Sequence, residues 1–282
     1  MKITVNNKND TAYESMFDGL IKEVFGFSFA PWFERKLWDN NYTSYSIIEN
    51  GYMLSNICVF KSELLINGEK APAIQLGAVA TRSDARGKGL SRHLIEHVLS
   101  QYPDTLAYLF ANASVIDFYP QFGFHQVQTY KPEISVAINN DSATAIKCGL
   151  DDTVLQKAVY NRSVYSNLVD CTNSQSIQMF HLLMLYPNDI YYLPRCKTIV
   201  IATKKDSRLF IADVIAEHSL TFDKLIAELP FSGIYTVEFG FCPDWLDVSP
   251  TWKPAGMKTD PFFIKGGWKL PEKFCFPLTS TT

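Results

Sequence analysis

The stretch LGAVATRSDARGKGLSRHLIEHVL, residues 76–99, constrains the fold more than any other part of the sequence. The segment 72–81 is mostly apolar and predicts a β-strand. Leu90, Leu94 and Val98 recur at helical spacing, so they predict the buried arc of an amphipathic helix. The sequence therefore predicts a strand, a glycine-bearing loop and a helix in direct succession.

This loop has the features of an anion-binding site. Glycines before a helix let the backbone approach a ligand closely, and the first N–H groups of the helix point toward it. Four cations surround the loop with a single Asp among them, and they are Arg82, Arg86, Lys88 and Arg92. We therefore expect a phosphate or pyrophosphate here. The alternative is a glycine turn followed by a solvated basic helix start, because short glycine motifs are common.

Other patterns predict elements on both sides of this unit. Apolar residues at helical spacing predict a helix over 11–25. Asn-Gly pairs at 50–51 and 67–68 separate apolar runs and predict two successive hairpins. Downstream, the predicted elements are a strand at 106–112, a short helix at 114–119 that Pro120 ends, and a strand near 125–138.

A polar, unpatterned stretch at 139–144 is the predicted domain boundary. Beyond it, the predicted elements are helices at about 151–169 and 174–185, strands near 197–203 and 208–216, a helix at 221–229 capped by Thr221, and a strand at 233–241. The last two of these strands and the helix between them form a β-α-β unit. We expect a first domain over 1–140 and a C-terminal α/β domain over 145–282.

The composition excludes several classes of function. The 26 Lys and Arg residues face 29 Asp and Glu, and a net charge of −3 gives no reason to expect nucleic acid or an anionic membrane as partner. No apolar run approaches the roughly 18 residues of a membrane span, and the N-terminus lacks the apolar stretch of a signal peptide. The six cysteines are scattered without a Cys-x-x-Cys pair, which is typical of reduced thiols. We expect a cytoplasmic protein.

A second pattern, His-x-x-Glu-His at residues 93–97, occurs in some zinc proteases. His93 and His97 could ligate zinc from one helix face. Both lie at the edge of the predicted buried arc, however, and the spacing gives no third ligand. We favour the alternative, a half-exposed helix flank, and expect no metal.

Residues 76–99 resemble motif A of the GNAT acetyltransferases, whose pattern is Arg/Gln-x-x-Gly-x-Gly/Ala. Arg86, Gly89 and Ser91 occupy the three defined positions, and Ser91 departs from Gly/Ala but is small. LFANASVIDFYPQFGF, residues 109–124, resembles the family's second signature, an Asn at a strand end followed by Tyr and Gly-Phe. The two motifs occur in the family's order and spacing, and the resemblance covers about 45–135.

The resemblance implies an α/β (α+β) class and the GNAT fold, a central mixed, mostly antiparallel sheet flanked by helices. A second, smaller α/β domain follows, and either it is a degenerate GNAT-like domain or it is unrelated. The implied function is an acetyl-CoA-dependent N-acetyltransferase that acts by direct attack of an amine. The expected acceptor is the primary amine of a small molecule, with a protein amine as the alternative.

The resemblance also implies roles for individual residues. The pyrophosphate of acetyl-CoA would lie on backbone N–H groups between Gly87 and Ser91, and the pantetheine arm would run beside the strand end. The implied cofactor-binding residues are Val79, Thr81, Arg86, Gly87, Lys88, Gly89, Ser91 and Asn112. An N–H near Val79 or Ala80 would stabilise the oxyanion, and Tyr119 would donate a proton to the CoA sulfur.

Plainer alternatives exist for two of these residues. Tyr119 could simply pack against neighbouring aromatic side chains, and Asn112 could cap the end of its strand. The aromatic residues Trp32, Phe33 and Trp38 are interpreted as core, with a substrate pocket as the alternative, because the resemblance implies that the first helices border the acceptor site.

The general base is the weakest part of the implied mechanism. Many GNAT enzymes carry a Glu on the strand before the phosphate loop, but no Asp or Glu occurs from Lys70 to Ser83. Either a distant base acts through water, or the amine arrives neutral. The missing carboxylate also leaves open a non-catalytic acyl-CoA-binding or sensing module. The second half would close over the acceptor cleft or form the surface of a homodimer.

Overall fold

Two β-sheets and six α-helices make up the described part of the chain, residues 1–6, 9–140, 143–256 and 261–282 of a computed structural model. The helices are α1 (Thr11–Phe25), α2 (Ala30–Glu34), α3 (Leu90–Gln101), α4 (Thr153–Tyr160), α5 (Gln175–Met184) and α6 (Phe222–Glu228). Among these described helices, none has the length and apolar character needed to cross a membrane. The predicted mixed α+β class is confirmed.

The strands of the two sheets are numbered in chain order. They are β1 (Thr4–Asn6), β2 (Tyr42–Glu49), β3 (Tyr52–Ile66), β4 (Glu69–Thr81), β5 (Leu106–Phe110), β6 (His125–Val127), β7 (Tyr130–Asn139), β8 (Ile146–Lys147), β9 (Val169–Cys171), β10 (Ile190–Leu193), β11 (Thr198–Lys205), β12 (Arg208–Ile215), β13 (Ser232–Phe239), β14 (Thr251–Pro254) and β15 (Phe262–Lys265).

The first sheet has the order β1-β2-β3-β4-β5-β15-β6, with β9 paired to the far end of β3. The two predicted hairpins join β2, β3 and β4 in antiparallel pairs. Their turns contain Asn50 and Asn67 at φ of 52° and 51°, the left-handed region that Asn tolerates. Strand β4 then passes through α3 to its parallel neighbour β5. The sheet is mixed and mostly antiparallel, as expected.

The second sheet repeats part of this order. It runs β14-β7-β13-β12-β11-β10-β8. Strands β10, β11 and β12 are antiparallel neighbours, and β12 passes through α6 to a parallel partner, β13. The predicted β-α-β unit is therefore confirmed. No glycine pair precedes α6, since the residues before it are EHSLT.

Each sheet contains a strand from the other half of the sequence. Strand β15, near the end of the chain, lies between β5 and β6 in the first sheet. Strand β7 lies beside β13 in the second sheet. Residues 141 and 142 of the predicted boundary at 139–144 lie outside the described residues, and the division into 1–140 and 145–282 remains a prediction.

Three predicted elements differ from the structure. The strand near 125–138 is two strands, β6 and β7, which belong to different sheets. The helix at about 151–169 ends at Tyr160, because the chain leaves α4 at Asn161 and pairs with β3 as β9. The helix at 114–119 is replaced by two 3₁₀ turns, Ala113–Val115 and Tyr119–Phe122. Tyr119 begins the second turn, because proline fits the first turn of a helix.

Helices cover both faces of the first sheet. Alternating side chains of β3 point to opposite faces, so Ile57 and Val59 pack in one core and Cys58 and Phe60 in the other. Helix α3 buries its predicted arc against the first core. Helices α1 and α2 pack on the opposite face, and residues of α5 join them there. Part of the C-terminal half therefore contributes to the core of the first sheet.

Candidate functional site

Strands β4 and β5 are hydrogen-bonded to each other over a short stretch only. Their register runs from Ala73–Leu106 to Gln75–Tyr108. Beyond Gln75, β4 continues along β3 to Thr81, whereas β5 continues along β15. The carboxyl ends of the two parallel strands therefore diverge, and such ends are where ligands bind in sheets with this connection.

A β-bulge distorts β4 where it leaves β5. Asn56 of β3 pairs with Ala80, but Cys58 pairs with Gly77, so two residues of β4 oppose one of β3. Ala78 has a φ of 46°, which is unusual for a residue with a side chain. The Asn56 Nδ2 atom donates to the Ala78 carbonyl oxygen at 3.1 Å and holds this conformation. The bulge takes the backbone of Val79 out of the register with β3.

The loop from β4 to α3 is closed by hydroxyl and backbone contacts. The Thr81 and Ser91 hydroxyl oxygens lie 2.7 Å apart, and Arg86 Nε donates to the Thr81 carbonyl at 3.3 Å. Gly87 and Gly89 have φ of 76° and 75°, a conformation that disfavours larger residues. The N–H group of His93 donates to Gly89 O at 3.0 Å, so the N–H groups before it lie at the open end of the helix.

These elements surround a cavity of about 740 Å³, which we call the loop cavity. Its volume is typical of ligand sites, which measure about 300–1,000 Å³. The predicted residues that line it are Val79, Thr81, Arg86, Gly87, Gly89, Ser91, Asn112 and Tyr119. Lys88 is exposed and does not line it. The structure therefore brings together all predicted site residues except Lys88.

Tyr119 lies at the inner end of the loop cavity. Its ring packs against Phe118, Phe124 and Phe263 at centroid distances of 5.5–6.3 Å. Burial raises the pKa of its hydroxyl to about 12, so the group is neutral at physiological pH. None of the described residues gives this hydroxyl a hydrogen-bond partner. A partnerless hydroxyl on a buried ring that lines a cavity is suited to a ligand atom.

Asn112 caps a turn and also lines the loop cavity. Its Oδ1 atom accepts from the N–H and hydroxyl of Ser114 at 3.0 and 2.9 Å, so it caps the first 3₁₀ turn. The side chain also lines the loop cavity. The Nδ2 atom has no hydrogen-bond partner among the described residues and is the donor left for a ligand.

A second cavity of about 250 Å³ joins the loop cavity, and we call it the aromatic pocket. The two share the side chains of Phe25, Val79, Asn112, Val115 and Tyr119. Other residues that line the aromatic pocket are Ile21, Phe27, Phe29, Trp32, Tyr42, Leu76, Gly77, Ala78, Phe110, Ile177, Phe180 and Thr282. No charged side chain lines it within the described ranges. Trp32, which the sequence assigns to the core, is fully buried and also lines the pocket.

The second half of the chain supplies residues of this pocket that the sequence does not predict. Ile177 and Phe180 lie on α5, and Thr282 lies beside β4, where its backbone oxygen accepts from Gln75 Nε2 at 3.4 Å. The apolar spacing of α5 predicts a helix but not its neighbour. Arg92 also has a positioning role that its place in the sequence does not reveal. Its guanidinium lies 5.1 Å from the centre of the Phe122 ring and ties α3 to the turn that carries Tyr119.

The His-x-x-Glu-His pattern lies apart from both cavities. The His97 ring packs 5.9 Å from that of Tyr45, and Glu96 pairs with Arg92 at 3.5 Å. In the described ranges, no group of three or more His, Cys, Asp or Glu side chains could hold a metal ion.

One family of known proteins matches part of this chain in sequence, and several solved structures match it in fold. Residues 5–127 match the acetyltransferase (GNAT) domain family. No curated protein matches the chain by sequence. Among solved structures, a probable N-acyltransferase from Enterococcus faecalis V583 is similar at a TM-score of 0.60 and 16% identity, over 94% of this chain and 72% of that one.

Two further structures show the same similarity of fold. A GCN5-related N-acetyltransferase from Kribbella flavida has a TM-score of 0.54 at 14% identity, over 93% of this chain and 71% of its own. The N-myristoyltransferase of Saccharomyces cerevisiae, solved with bound myristoyl-CoA, has a TM-score of 0.51 at 10% identity, over 97% of this chain and 81% of its own. At such low identity these likenesses concern the fold, which spans both halves of the chain.

Proposed function

Because residues 5–127 belong to the GNAT acetyltransferase family, we propose that this protein transfers an acetyl group from acetyl-CoA to the primary amine of a small molecule. The observation that carries the proposal is the loop cavity. It joins the open N-terminus of α3, a bulged strand edge and a partnerless tyrosine hydroxyl in one space.

The cosubstrate would extend along this cavity. The pyrophosphate would accept from N–H groups at the start of α3, near Gly87, Gly89 and Ser91, with Arg86 adding positive charge. Lys88 would act only as an exposed cation nearby. The pantetheine arm would occupy the gap between β4 and β5. Beyond Gln75, the edge of β4 that faces β5 has no strand partner among the described residues. Asn112 Nδ2 would donate to it.

The proposed chemistry is direct attack. The neutral amine nitrogen forms a bond with the thioester carbonyl carbon, and the C–S bond breaks with its electron pair on the sulfur. The nitrogen loses one proton through water, which returns it to the CoA thiolate or to solvent, so that the products are the N-acetyl amine and CoA. A backbone N–H at the bulge near Val79 would stabilise the oxyanion. The pKa of Tyr119, about 12, is well above the value near 8.5 of an ordinary thiol, so full proton transfer to the sulfur is uphill. Tyr119 therefore stabilises the leaving sulfur chiefly by a hydrogen bond.

Calorimetric titration with acetyl-CoA, followed by measurement of thiol release with amines, tests the proposal. An enzyme should bind about one acetyl-CoA per chain near micromolar and release CoA only when an amine is present. Binding without thiol release would favour a non-catalytic acyl-CoA sensor. The absence of binding at high micromolar acetyl-CoA would refute the proposal.

A matched pair of variants distinguishes site effects from backbone strain. Gly89→Val places a β-branched residue at a φ of 75° in the loop cavity, and Gly51→Val places one at 77° in the hairpin between β2 and β3. At both positions an added Cβ atom meets no neighbour within 4 Å. Gly89→Val should abolish acetyl-CoA binding, whereas Gly51→Val should lower stability similarly and leave binding intact.

Two further proposals concern setting and assembly. We propose a cytoplasmic location, which is supported by six free cysteines, since thiols stay reduced there. We also propose that the second half closes the acceptor side of the site. A homodimer is an alternative role for it, and sedimentation would distinguish one chain from two.

A further inference from the structure

The wall of the aromatic pocket is built from both halves of the chain. Phe27 and Phe29 follow α1, and Phe180 projects from α5. The Phe29 and Phe180 rings stack at a centroid distance of 4.8 Å, and the Phe27 ring lies 5.4 Å from Phe29. Trp32 lies behind them, 5.6 Å from Phe29. This arrangement builds an apolar, aromatic wall of the pocket, which joins the loop cavity.

The mouth of the pocket is apolar as well. Phe25, Phe27 and Val115 are 43%, 37% and 39% exposed, although large apolar side chains usually avoid solvent. These side chains lie in one place around an opening instead of being scattered singly. Exposed apolar residues grouped at a cavity mark a binding surface.

The carboxylate that contacts the backbone of this wall is already paired. Asp18 of α1 accepts from the Phe29 N–H at 2.7 Å and from the Ser28 hydroxyl at 2.9 Å, and it pairs with Lys22 at 2.7 Å. These contacts hold the pKa of Asp18 below its usual range against the opposing effect of burial. The carboxylate positions the Phe27–Phe29 segment from behind. Because it is already paired, this carboxylate is not available to bind a positive charge on a ligand.

We propose that the aromatic pocket binds the acceptor, and that the acceptor is a primary amine with an uncharged, aromatic or similarly apolar body. The inference rests on the proposed transferase function, because it places the amine beside the thioester at Tyr119. The pocket, at about 250 Å³, is about a third of the size of the loop cavity and suits a small acceptor such as a phenylalkylamine.

This acceptor class also accounts for the lack of a side-chain base in the pocket. Burial in apolar surroundings disfavours the charged form of an amine, so the pKa of the bound ammonium falls. The aromatic faces still attract an ammonium as it enters. A second cation on the acceptor would find no charged side chain to pair with among the described residues that line the pocket, and burying an unpaired charge is unfavourable. The pocket therefore favours amines whose only charge is the reacting nitrogen.

Competition between amines tests the inference directly. With acetyl-CoA, 2-phenylethylamine should have a kcat/KM at least about tenfold above that of 1,4-diaminobutane or glucosamine, in line with the discrimination that apolar pockets achieve. Calorimetric titration of 2-phenylethylamine into the protein saturated with CoA measures the same preference without turnover. Preference for the polar amines in both measurements would overturn the inference.

A charge placed in the wall sharpens the test. Phe27→Glu should lower the kcat/KM for 2-phenylethylamine about tenfold or more and raise that for 1,4-diaminobutane, while acetyl-CoA affinity stays unchanged. Tyr235→Glu is the matched control, because Tyr235 is 62% exposed on β13 of the second sheet. It should match wild type. Equal effects of both variants on the two amines would contradict the assignment.

The same experiments separate this inference from the proposed function. Binding of 2-phenylethylamine without thiol release would support the pocket and refute the transferase. Turnover of polar amines alone would support the transferase and refute the pocket. A higher kcat/KM with octanoyl-CoA than with acetyl-CoA, with no binding of 2-phenylethylamine, would assign the pocket to a longer acyl chain instead.

Discussion

Replacing Tyr119 with Phe removes one oxygen atom and leaves the packing of the ring unchanged. Because the hydroxyl has no hydrogen-bond partner among the described residues, its loss leaves no protein group unsatisfied, and the melting temperature should stay within a few degrees. A hydrogen bond to a charged group is worth about 1.5–3 kcal/mol. Each 1.36 kcal/mol of activation free energy changes the rate tenfold, so losing this hydrogen bond in the transition state lowers the rate about 10- to 150-fold.

The assay must isolate the chemical step. Single-turnover thiol release, with protein in excess over acetyl-CoA, should slow by about 100-fold in Tyr119→Phe, within the range for lost transition-state donors. Acetyl-CoA affinity should be unchanged. Because the pKa of Tyr119 is about 12, the wild-type rate should also show no loss from tyrosine ionisation up to about pH 10. A single-turnover rate equal to wild type in the variant would refute the role of the hydroxyl.

Three further predictions concern the second half of the chain. In Gly77→Ala the new Cβ would clash with the Thr282 hydroxyl, so the variant should displace Thr282 and raise the amine KM about tenfold, with acetyl-CoA affinity unaltered as the check. An amine KM equal to wild type would contradict this. Arg162→Met should lower the free energy of unfolding, measured in urea at pH 7, by about 3–5 kcal/mol, because it leaves the buried carboxylates of Asp170 and Asp213 without their cation. A loss below about 1 kcal/mol would contradict this. Burial lowers the pKa of His181, so the unfolded chain takes up a proton before the folded chain does as pH falls through about 6.5, and this residue therefore lowers the stability of the fold as pH falls below 7. His181→Gln should flatten that part of the melting-temperature profile, and an unchanged slope would show that another group titrates.

Local signals allow the loop cavity to be predicted from the sequence. Two glycines before an apolar helical arc are enough to predict a helix N-terminus open to an anion, because the backbone of the first turn makes that site. Their φ values of 76° and 75° agree with this expectation. The position of Tyr119 relative to Asn112 also follows from a short connection. Each of these contacts depends on residues close together in the chain.

The aromatic pocket depends on contacts that no local pattern contains. Phe29 and Phe180 stack although one follows α1 and the other lies on α5. Thr282 reaches β4 only because the tail packs along the first sheet. Periodicity gives the face of α5 that is buried but not the surface that buries it. The same holds for β15, whose four residues are too few to identify a partner strand.

The exchange of strands explains why the two halves have to be considered together. In a chain ending at residue 140, β5 would lose its partner β15 and leave a row of unpaired N–H and C=O groups. Strand β6 would lose its place in the sheet, since β15 is the strand that joins it to β5. The wall that Phe180 provides would be missing as well. On the proposed function, cofactor affinity should depend on the loop before α3, whereas acceptor binding should depend on both halves. Truncation should therefore impair the choice of amine more than the binding of acetyl-CoA.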